Sequence, residues 1–138
     1  MRIILGYPSL NDPRGFIQVG QNRQSKIFSV GAEAAIFSPV MAWAATLLKR
    51  DGHEVRWVDG QTMGWSLERY LLSLVLWKPD LILWEAKTPS IKATWEAVRK
   101  VKDVLPSCKV VLCGDHVTAL PEETLANSPT DHVLIGGD

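Results

Sequence analysis

The chain has 138 residues, of which 46% are hydrophobic and 22% are charged, a composition typical of one globular domain with a real core. Fifteen basic residues balance fifteen acidic ones, so no net field would draw the chain to nucleic acid or to an anionic membrane. Its apolar runs are far shorter than the roughly 20 residues of a membrane span, and its amino end lacks a signal-peptide pattern. We therefore expect a single cytoplasmic domain over residues 1–138 that binds neither nucleic acid nor membrane.

Five short apolar segments predict β-strands. Most of them carry apolar residues at consecutive positions, as strands do when a parallel sheet is covered on both faces. The segments are RIILGY (2–7), EVRWVD (54–59), DLILWEA (80–86), KVVLCG (109–114) and HVLIGG (132–137).

Helical segments lie between these strands. The first has Ser38 as a suitable N-cap, Pro39 in its first turn, an end near Arg50 and Gly52 just beyond. Its apolar residues at helical spacing predict a buried stripe of Val40, Trp43, Ala44, Leu47 and Leu48. Further helices are predicted at about 66–77, from a Thr88 cap to Pro106 with Ile91, Trp95, Val98 and Val101 buried, and at about 121–126.

Strands that alternate with helices predict an α/β fold, Rossmann-like (flavodoxin-like), with a five-stranded parallel sheet in the order 2-1-3-4-5 and helices on both faces. In this order, a ligand crevice lies at the carboxyl ends of strands one and three. Gly114 ends the fourth strand, where a small residue lets the backbone approach a ligand or a neighbouring loop. The segment from Pro8 to Ser38 is much longer than the usual two to six residues or so, which favours a loop that wraps a ligand.

The cysteines and tryptophans have simple structural interpretations. Cys108 and Cys113 are five positions apart on one predicted strand, beyond the reach of a disulfide, so we expect two reduced thiols. Four tryptophans fall on helix stripes or strands and are expected in the core rather than stacked on a ligand: Trp43, Trp57, Trp84 and Trp95.

Four segments together resemble a known family. They are SPVMAWAATLLKRDGHEVRWVDG (38–60), KPDLILWEAKTPSIKATWEAVRKVK (78–102), VVLCGDHVTALPEE (110–123) and TDHVLIGGD (130–138). In this order and spacing they are similar to the cobalamin-binding domain at the amino end of cobalamin-dependent radical S-adenosylmethionine enzymes. The resemblance covers nearly the whole chain and implies cobalamin as the cofactor.

The resemblance also implies a partner domain. In the family, a radical domain binds S-adenosylmethionine and an iron–sulfur cluster through a Cys-x3-Cys-x2-Cys run. This chain has only two cysteines, so we expect the cluster and S-adenosylmethionine only in a partner domain that is missing here. The chain by itself is then expected to bind its cofactor without catalysis, as part of a methyltransferase, and no catalytic or metal-ligating residue is predicted in it.

Cobalamin domains of the methionine synthase and mutase type carry Asp-x-His-x-x-Gly in their first loop, where the histidine binds cobalt. No histidine lies between Pro8 and Ser38 in this sequence. DGHEVR at 51–56 imitates the motif, but Arg56 stands in place of its glycine, and His53 is at the amino end of strand two. The resemblance therefore implies base-off cobalamin without a histidine ligand, an arrangement suited to methyl transfer onto unreactive carbon or phosphorus.

The loops after strands one, three, four and five supply the candidate cofactor-binding residues. Backbone N–H groups, hydroxyls and helix starts in these loops would hold the amide and phosphate groups of the ligand. The candidates are Tyr7, Pro8, Glu85, Ala86, Lys87, Thr88, Ser90, Gly114, Asp115, His116, Val117, Gly136 and Gly137. Other interpretations are helix capping by Thr88, a turn capped by Asp115 or Thr118, and a solvent-facing His116.

Two other functional classes stay open. A flavodoxin-like small-molecule or nucleotide-binding module would use the same crevice, although the loops lack a Gly-x-Gly-x-x-Gly fingerprint. A receiver-like interaction domain would need clustered acidic residues after strands one and two and a lysine after the last strand. Asp59 fits this pattern, but strand one ends in Gly6-Tyr7-Pro8 and no lysine follows His132.

Overall fold

A computed structural model describes residues 1–10 and 38–136. In these ranges, five parallel strands form one sheet in the order β2-β1-β3-β4-β5, which confirms the predicted fold class and strand order. The strands are β1 Arg2–Tyr7, β2 Glu54–Asp59, β3 Leu81–Glu85, β4 Lys109–Cys113 and β5 His132–Val133. The last strand is shorter than predicted. Most of the segment from Pro8 to Ser38, predicted to wrap a ligand, lies outside the described residues, as does Gly137.

Helices flank the sheet on both faces. They are α1 Pro39–Arg50, α2 Leu67–Trp77, α3 Ile91–Val104, α4 Asp115–Ala119 and α5 Pro121–Asn127, with a 3₁₀ turn Thr88–Ser90 before α3. The short helix α4 follows Gly114 directly, where only a turn was expected. Five residues are fewer than two helical turns, so no apolar periodicity marks such a helix in a sequence.

The first two helices begin as the sequence predicts. The Ser38 side chain accepts a hydrogen bond from the Met41 N–H, and that of Ser66 accepts one from the Arg69 N–H. The predicted cap at Thr88 is wrong, because neither the 3₁₀ turn nor α3 has a side-chain cap. The Thr88 hydroxyl instead lies 3.2 Å from Nδ1 of His116.

The hydrophobic core lies on both faces of the sheet. On one face, α2 and α3 bury residues such as Tyr70, Leu74 and Val98 against Trp84 and Leu112. The Trp84 Nε1–H donates to the Tyr70 hydroxyl over 3.0 Å, so the indole N–H is paired inside the core. Trp95 is also buried, as predicted.

The buried stripe of α1 differs from the prediction. Met41 is buried against Ile3 and Leu5 of β1, with Ala44, Ala45 and Leu48 packed beside it. Val40, Trp43 and Leu47 face outward, and Trp43 is 78% exposed. Both sets of residues have helical spacing, and only contact with the sheet selects one of them. The two alanines allow α1 to lie close to the sheet. The helix is therefore rotated so that its buried face begins at Met41, one position after the first residue of the predicted face, Val40.

Both cysteines are free, as expected from their spacing. Cys108 is buried just before β4, and Cys113 ends this strand half-buried. Burial raises the pKa of the Cys108 thiol to about 11 and that of Cys113 to about 12, so both stay protonated at neutral pH.

No helix within residues 1–10 and 38–136 is long and apolar enough to cross a bilayer.

Asp131 fastens the start of β4 to α3. Its carboxylate accepts hydrogen bonds from the Val110 N–H and from the ammonium groups of Lys102 and Lys109. Burial alone would raise the pKa of Asp131, but these three donors outweigh it and lower the pKa to about 2.

We expect Asp131→Asn to lower the free energy of unfolding by about 1 kcal/mol at pH 7. The folded-state pKa of Asp131 is depressed below the ordinary value of 3.8, so its contribution is present above about pH 4 and lost as the pH falls towards 2. Urea unfolding of both proteins between pH 7 and pH 2 measures this. A stability difference that stays constant down to pH 2 would contradict the ionic origin of the effect.

Candidate functional site

The carboxyl ends of β1, β3 and β4 bring four of the predicted residues together. The Tyr7 hydroxyl donates to Oε2 of Glu85 over 2.5 Å. Nζ of Lys87 lies 2.6 Å from Oε1 of Glu85 and 3.2 Å from Oδ2 of Asp115. We call Tyr7, Glu85, Lys87 and Asp115 the edge network. It joins three strands at the topological switch point, where ligands bind in open α/β sheets.

Most of the edge network is buried. Burial raises the pKa of the Tyr7 hydroxyl well above its usual range, and the hydrogen bond to Glu85 raises it further. For Lys87, burial alone lowers the pKa, but the bonds to Glu85 and Asp115 outweigh burial, and the net shift is upward. The lysine is therefore held as a cation between two carboxylates. Only Asp115, with a side chain 40% exposed, has a charged group that faces solvent.

His116 is buried rather than solvent-facing. It is 3% exposed, with Nδ1 3.2 Å from the Thr88 hydroxyl and Nε2 3.5 Å from a carboxylate oxygen of Glu123. Its ring meets that of Trp95 edge-on at 6.0 Å. The alternative of a solvent-facing histidine is thus wrong, and His116 joins α4 to α3 and α5. Val117 is buried too, so direct contact of its side chain with a ligand requires a rearrangement.

The helices that follow the four longer strands begin in two different ways. Those after β1 and β2 are capped by the side chains of Ser38 and Ser66. Those after β3 and β4, which begin beyond Lys87 and Gly114, have no side-chain cap. The predicted alternatives of capping by Thr88 or Asp115 are therefore not observed. First-turn N–H groups without a side-chain acceptor can hold an anionic or amide oxygen.

The other candidates contribute mainly backbone. Pro8 and Ala86 are buried, and the Ala86 N–H donates to the Cys113 carbonyl. Ser90 is buried and donates to the Lys87 carbonyl. Gly136 is exposed and hydrogen-bonded in both directions with the Thr118 hydroxyl, a residue that sequence reasoning considered only as a cap. Thr118 therefore holds the segment after β5 beside α4.

Gly114 is required by its neighbours within the fold. Its φ is +107°, and a Cβ added there would lie 2.8 Å from the Ala86 carbonyl oxygen and 3.0 Å from Cγ of Glu85. The sequence allowed two reasons for a small residue here, the approach of a ligand or of a neighbouring loop. The structure shows the second, because the loop at Ala86 packs against Gly114.

We expect Gly114→Ala to lower the free energy of unfolding by about 2–3 kcal/mol, because both the backbone conformation and the contact with Ala86 disfavour a side chain. Gly64→Ala is the matched control, since Gly64 also has a positive φ but no atom within 4 Å of an added Cβ. Thermal unfolding followed by circular dichroism compares the two variants. Equal losses would show that only the positive φ matters.

Histidines are not exposed at this edge of the sheet. His53 immediately precedes β2 and lies at the opposite, amino-terminal end of the strands, as predicted. His132 lies on the edge strand β5, level with Val111 in the middle of β4. Among residues 1–10 and 38–136, no group of three His, Cys, Asp or Glu side chains is arranged to hold a metal ion.

Comparison with known proteins gives two curated relatives, and no family model matches the chain. The chain is 32% identical over 114 residues to the anaerobic magnesium-protoporphyrin IX monomethyl ester cyclase of Cereibacter sphaeroides, covering 80% of this chain and 18% of the cyclase. The enzyme of the same name from Rubrivivax gelatinosus is also 32% identical over 114 residues, with 80% and 20% covered. The chain spans about a fifth of the length of these relatives. It is thus similar to one segment of two anaerobic cyclases and has a Rossmann-like α/β fold.

Proposed function

We propose that this domain binds cobalamin in the base-off form, without a protein histidine on cobalt, as the cofactor domain of a radical S-adenosylmethionine enzyme. The observation that carries the proposal is the pair of uncapped helix starts after β3 and β4, at a sheet edge with no exposed histidine. The resemblance of four segments to such domains supports it. At a coarse level, so does the similarity to anaerobic cyclases that act on a tetrapyrrole.

The described residues fit this cofactor. A corrin ring is edged with amide groups, which need hydrogen-bond donors and acceptors rather than a strong local charge. Backbone groups of Lys87, Thr88, Gly114 and Asp115 would hold these amides, together with the half-exposed carboxylate of Asp115. The charge of Lys87 is already matched by two carboxylates, so it would orient Asp115 rather than act as a free cation.

The positions of the three histidines support the base-off form. His116 is enclosed by Thr88, Glu123 and Trp95. His53 lies at the far end of the sheet, and His132 lies on the edge strand β5, level with the middle of β4. Cobalamin, when bound, supplies a cobalt centre that can carry a methyl group or an electron. In this proposal the chain's own residues bind and orient the cofactor, and the radical chemistry belongs to a partner domain with its iron–sulfur cluster and S-adenosylmethionine.

The reaction of the whole protein has two candidates. The family resemblance implies methyl transfer to an unreactive centre. The two relatives are instead named as anaerobic cyclases of magnesium-protoporphyrin IX monomethyl ester, which favours a ring closure as the second candidate. Both reactions leave this domain with the same role of cofactor binding.

The two other functional classes have weaker support. A nucleotide phosphate would also suit the uncapped helix starts, so a flavodoxin-like module is the main competitor. A receiver-like domain needs an acidic cluster, but both carboxylate oxygens of Asp59 accept hydrogen bonds from Thr62, over 3.0 and 2.7 Å. No acidic metal cluster occurs in the described part of the chain.

A titration with hydroxocobalamin, followed by gel filtration and visible spectroscopy, tests the proposal. We expect corrin colour to elute with the protein and the spectrum to shift towards the base-off form. After reduction to Co(II), the electron paramagnetic resonance signal should lack splitting by an axial nitrogen. FMN is the control ligand. A protein that stays colourless but retains FMN would favour the flavodoxin-like function instead. Nitrogen splitting that is present in the wild type and disappears in His116→Gln would show that a histidine binds cobalt, and would overturn that part of the proposal.

A further inference from the structure

We propose that His116 is a positioning residue of the cofactor site: under the charge of Glu123, it keeps the Thr88 hydroxyl as a hydrogen-bond acceptor, so that the site selects amide N–H groups over anions. The inference rests on the proposed function, whose ligand class it narrows. His116 is 3% exposed and therefore acts on a ligand only through a neighbour. That neighbour is Thr88, an exposed residue in the loop after β3.

Three polar side chains form a chain of contacts from α5 to the carboxyl edge of the sheet. A carboxylate oxygen of Glu123 lies 3.5 Å from Nε2 of His116, and Nδ1 of the same ring lies 3.2 Å from Oγ1 of Thr88. Each nitrogen of the imidazole thus has one polar neighbour. The ring also packs edge-on against Trp95 at 6.0 Å, which restricts its rotation.

Glu123 favours one of the two tautomers of the imidazole. A neutral imidazole has one N–H and one bare nitrogen, and the partner of one nitrogen sets the state of the other. A carboxylate can only accept a hydrogen bond, so it attracts an N–H at Nε2 and repels a lone pair there. Nε2 is buried and makes no close hydrogen bond within the described residues, so the charge of Glu123 at 3.5 Å is what favours the proton on Nε2.

This tautomer gives the Thr88 hydroxyl a defined polarity. With the proton on Nε2, the bare Nδ1 of His116 accepts the hydroxyl hydrogen of Thr88. A hydroxyl has a single hydrogen, so only the lone pairs of the Thr88 oxygen remain for a ligand. Such an oxygen accepts a hydrogen bond from an amide N–H and repels the oxygens of a phosphate or a carboxylate.

The edge network acts in the same direction. Its two carboxylates, of Glu85 and Asp115, outnumber its one ammonium group, and Nζ of Lys87 contacts both of them. The half-exposed carboxylate of Asp115 is a second acceptor for amide N–H groups. The primary amides on the rim of a corrin ring supply donors of this kind, whereas an anionic group is repelled by both acceptors.

Imidazole ¹⁵N chemical shifts measure the tautomer without any ligand. At pH 8 we expect the His116 ring of the whole chain to have its hydrogen on Nε2, with the signals assigned by their loss in His116→Gln. Glu123→Leu should shift the population towards the Nδ1–H form. Glu122→Leu is the matched control, since it removes the same charge from the neighbouring exposed position of α5 and should leave the tautomer unchanged. An Nδ1–H ring in the wild type would overturn the inference.

The ligand preference is measured with hydroxocobalamin and its monocarboxylic acid derivatives, in each of which one peripheral amide is hydrolysed. We expect at least one derivative to bind about tenfold more weakly than hydroxocobalamin. Thr88→Val and Glu123→Leu should each reduce this ratio several-fold, whereas Thr88→Ser, which keeps the hydroxyl, and Glu122→Leu should preserve it. A purely structural role of His116 would weaken all corrinoids equally and leave the ratio unchanged.

The outcomes separate this inference from the proposed function. Corrinoid binding with the same ratio in Thr88→Val and Glu123→Leu, or an equal effect of Glu122→Leu and Glu123→Leu, would overturn the role of His116 and leave cobalamin binding intact. If no corrinoid binds to the wild type, the proposed function fails, and the ligand preference fails with it.

Discussion

Gly6→Ala is expected to lower the free energy of unfolding by at least about 4 kcal/mol, a large part of the stability of an ordinary domain. Gly6 lies in β1, between Val58 of β2 and Trp84 of β3. Its φ is +142°, and an added Cβ would lie 2.1 Å from the carbonyl oxygen of Val58. Because this oxygen belongs to backbone of a paired strand, relief of the overlap requires a shift of β2 against β1.

Gly52→Ala separates this overlap from the effect of the backbone conformation. Gly52 has a φ of +88° at the end of α1, with no atom within 4 Å of an added Cβ. We expect this control to lose only about 1 kcal/mol. Thermal unfolding should then show a fall of about 15 °C for Gly6→Ala and about 4 °C for Gly52→Ala. Similar melting temperatures for both variants would contradict a steric role for Gly6.

The fold was largely predictable because the signals that specify it are local. The segments of β1 and β2 are apolar enough, and bounded clearly enough, that their predicted ends match the structure. Right-handed crossovers reduce the number of possible strand orders, and the observed order is the predicted one. The rotation of α1 was not predictable in this way, since Trp43 and Met41 belong to two overlapping stripes and only packing against Ile3 and Leu5 chooses between them.

The candidate site was predictable at the level of loops rather than atoms. Parallel strands must end at one edge, so the sequence indicates which loops meet there. It does not indicate that Tyr7 bonds to Glu85, because these residues are 78 positions apart. A local pattern does bring two members of the network together: Glu85 and Lys87 are two positions apart in extended chain, which places their side chains on the same side. The burial of His116 depends on α4, whose existence no sequence pattern marks.

The second large loss of stability is expected from replacing Lys87 in the edge network. We expect Lys87→Met to lower the free energy of unfolding by about 3 kcal/mol at pH 7, because it removes a cation from Glu85 and leaves that carboxylate buried. The Lys87 side chain is only 13% exposed, and its Nζ contacts both Glu85 and Asp115. Lys92→Met, at an exposed position of α3, is the control and should change the stability by less than about 0.5 kcal/mol.

A double-mutant cycle and a pH series test the electrostatic origin of this effect. Glu85→Gln in the Lys87→Met background should restore about 1–2 kcal/mol, because an amide next to Tyr7 is less costly to bury than a carboxylate. Burial alone lowers the pKa of Lys87, but its bonds to Glu85 and Asp115 raise it above the ordinary 10.5. The contribution of Lys87 is therefore complete below about pH 10.5 and lost as the pH rises through the folded-state pKa. Urea unfolding measures the free energy of unfolding at pH 7, 9 and 11, and the wild-type value should approach that of Lys87→Met only at the highest pH. If the difference in stability is the same at every pH and Glu85→Gln restores nothing, Lys87 stabilises the edge by packing alone.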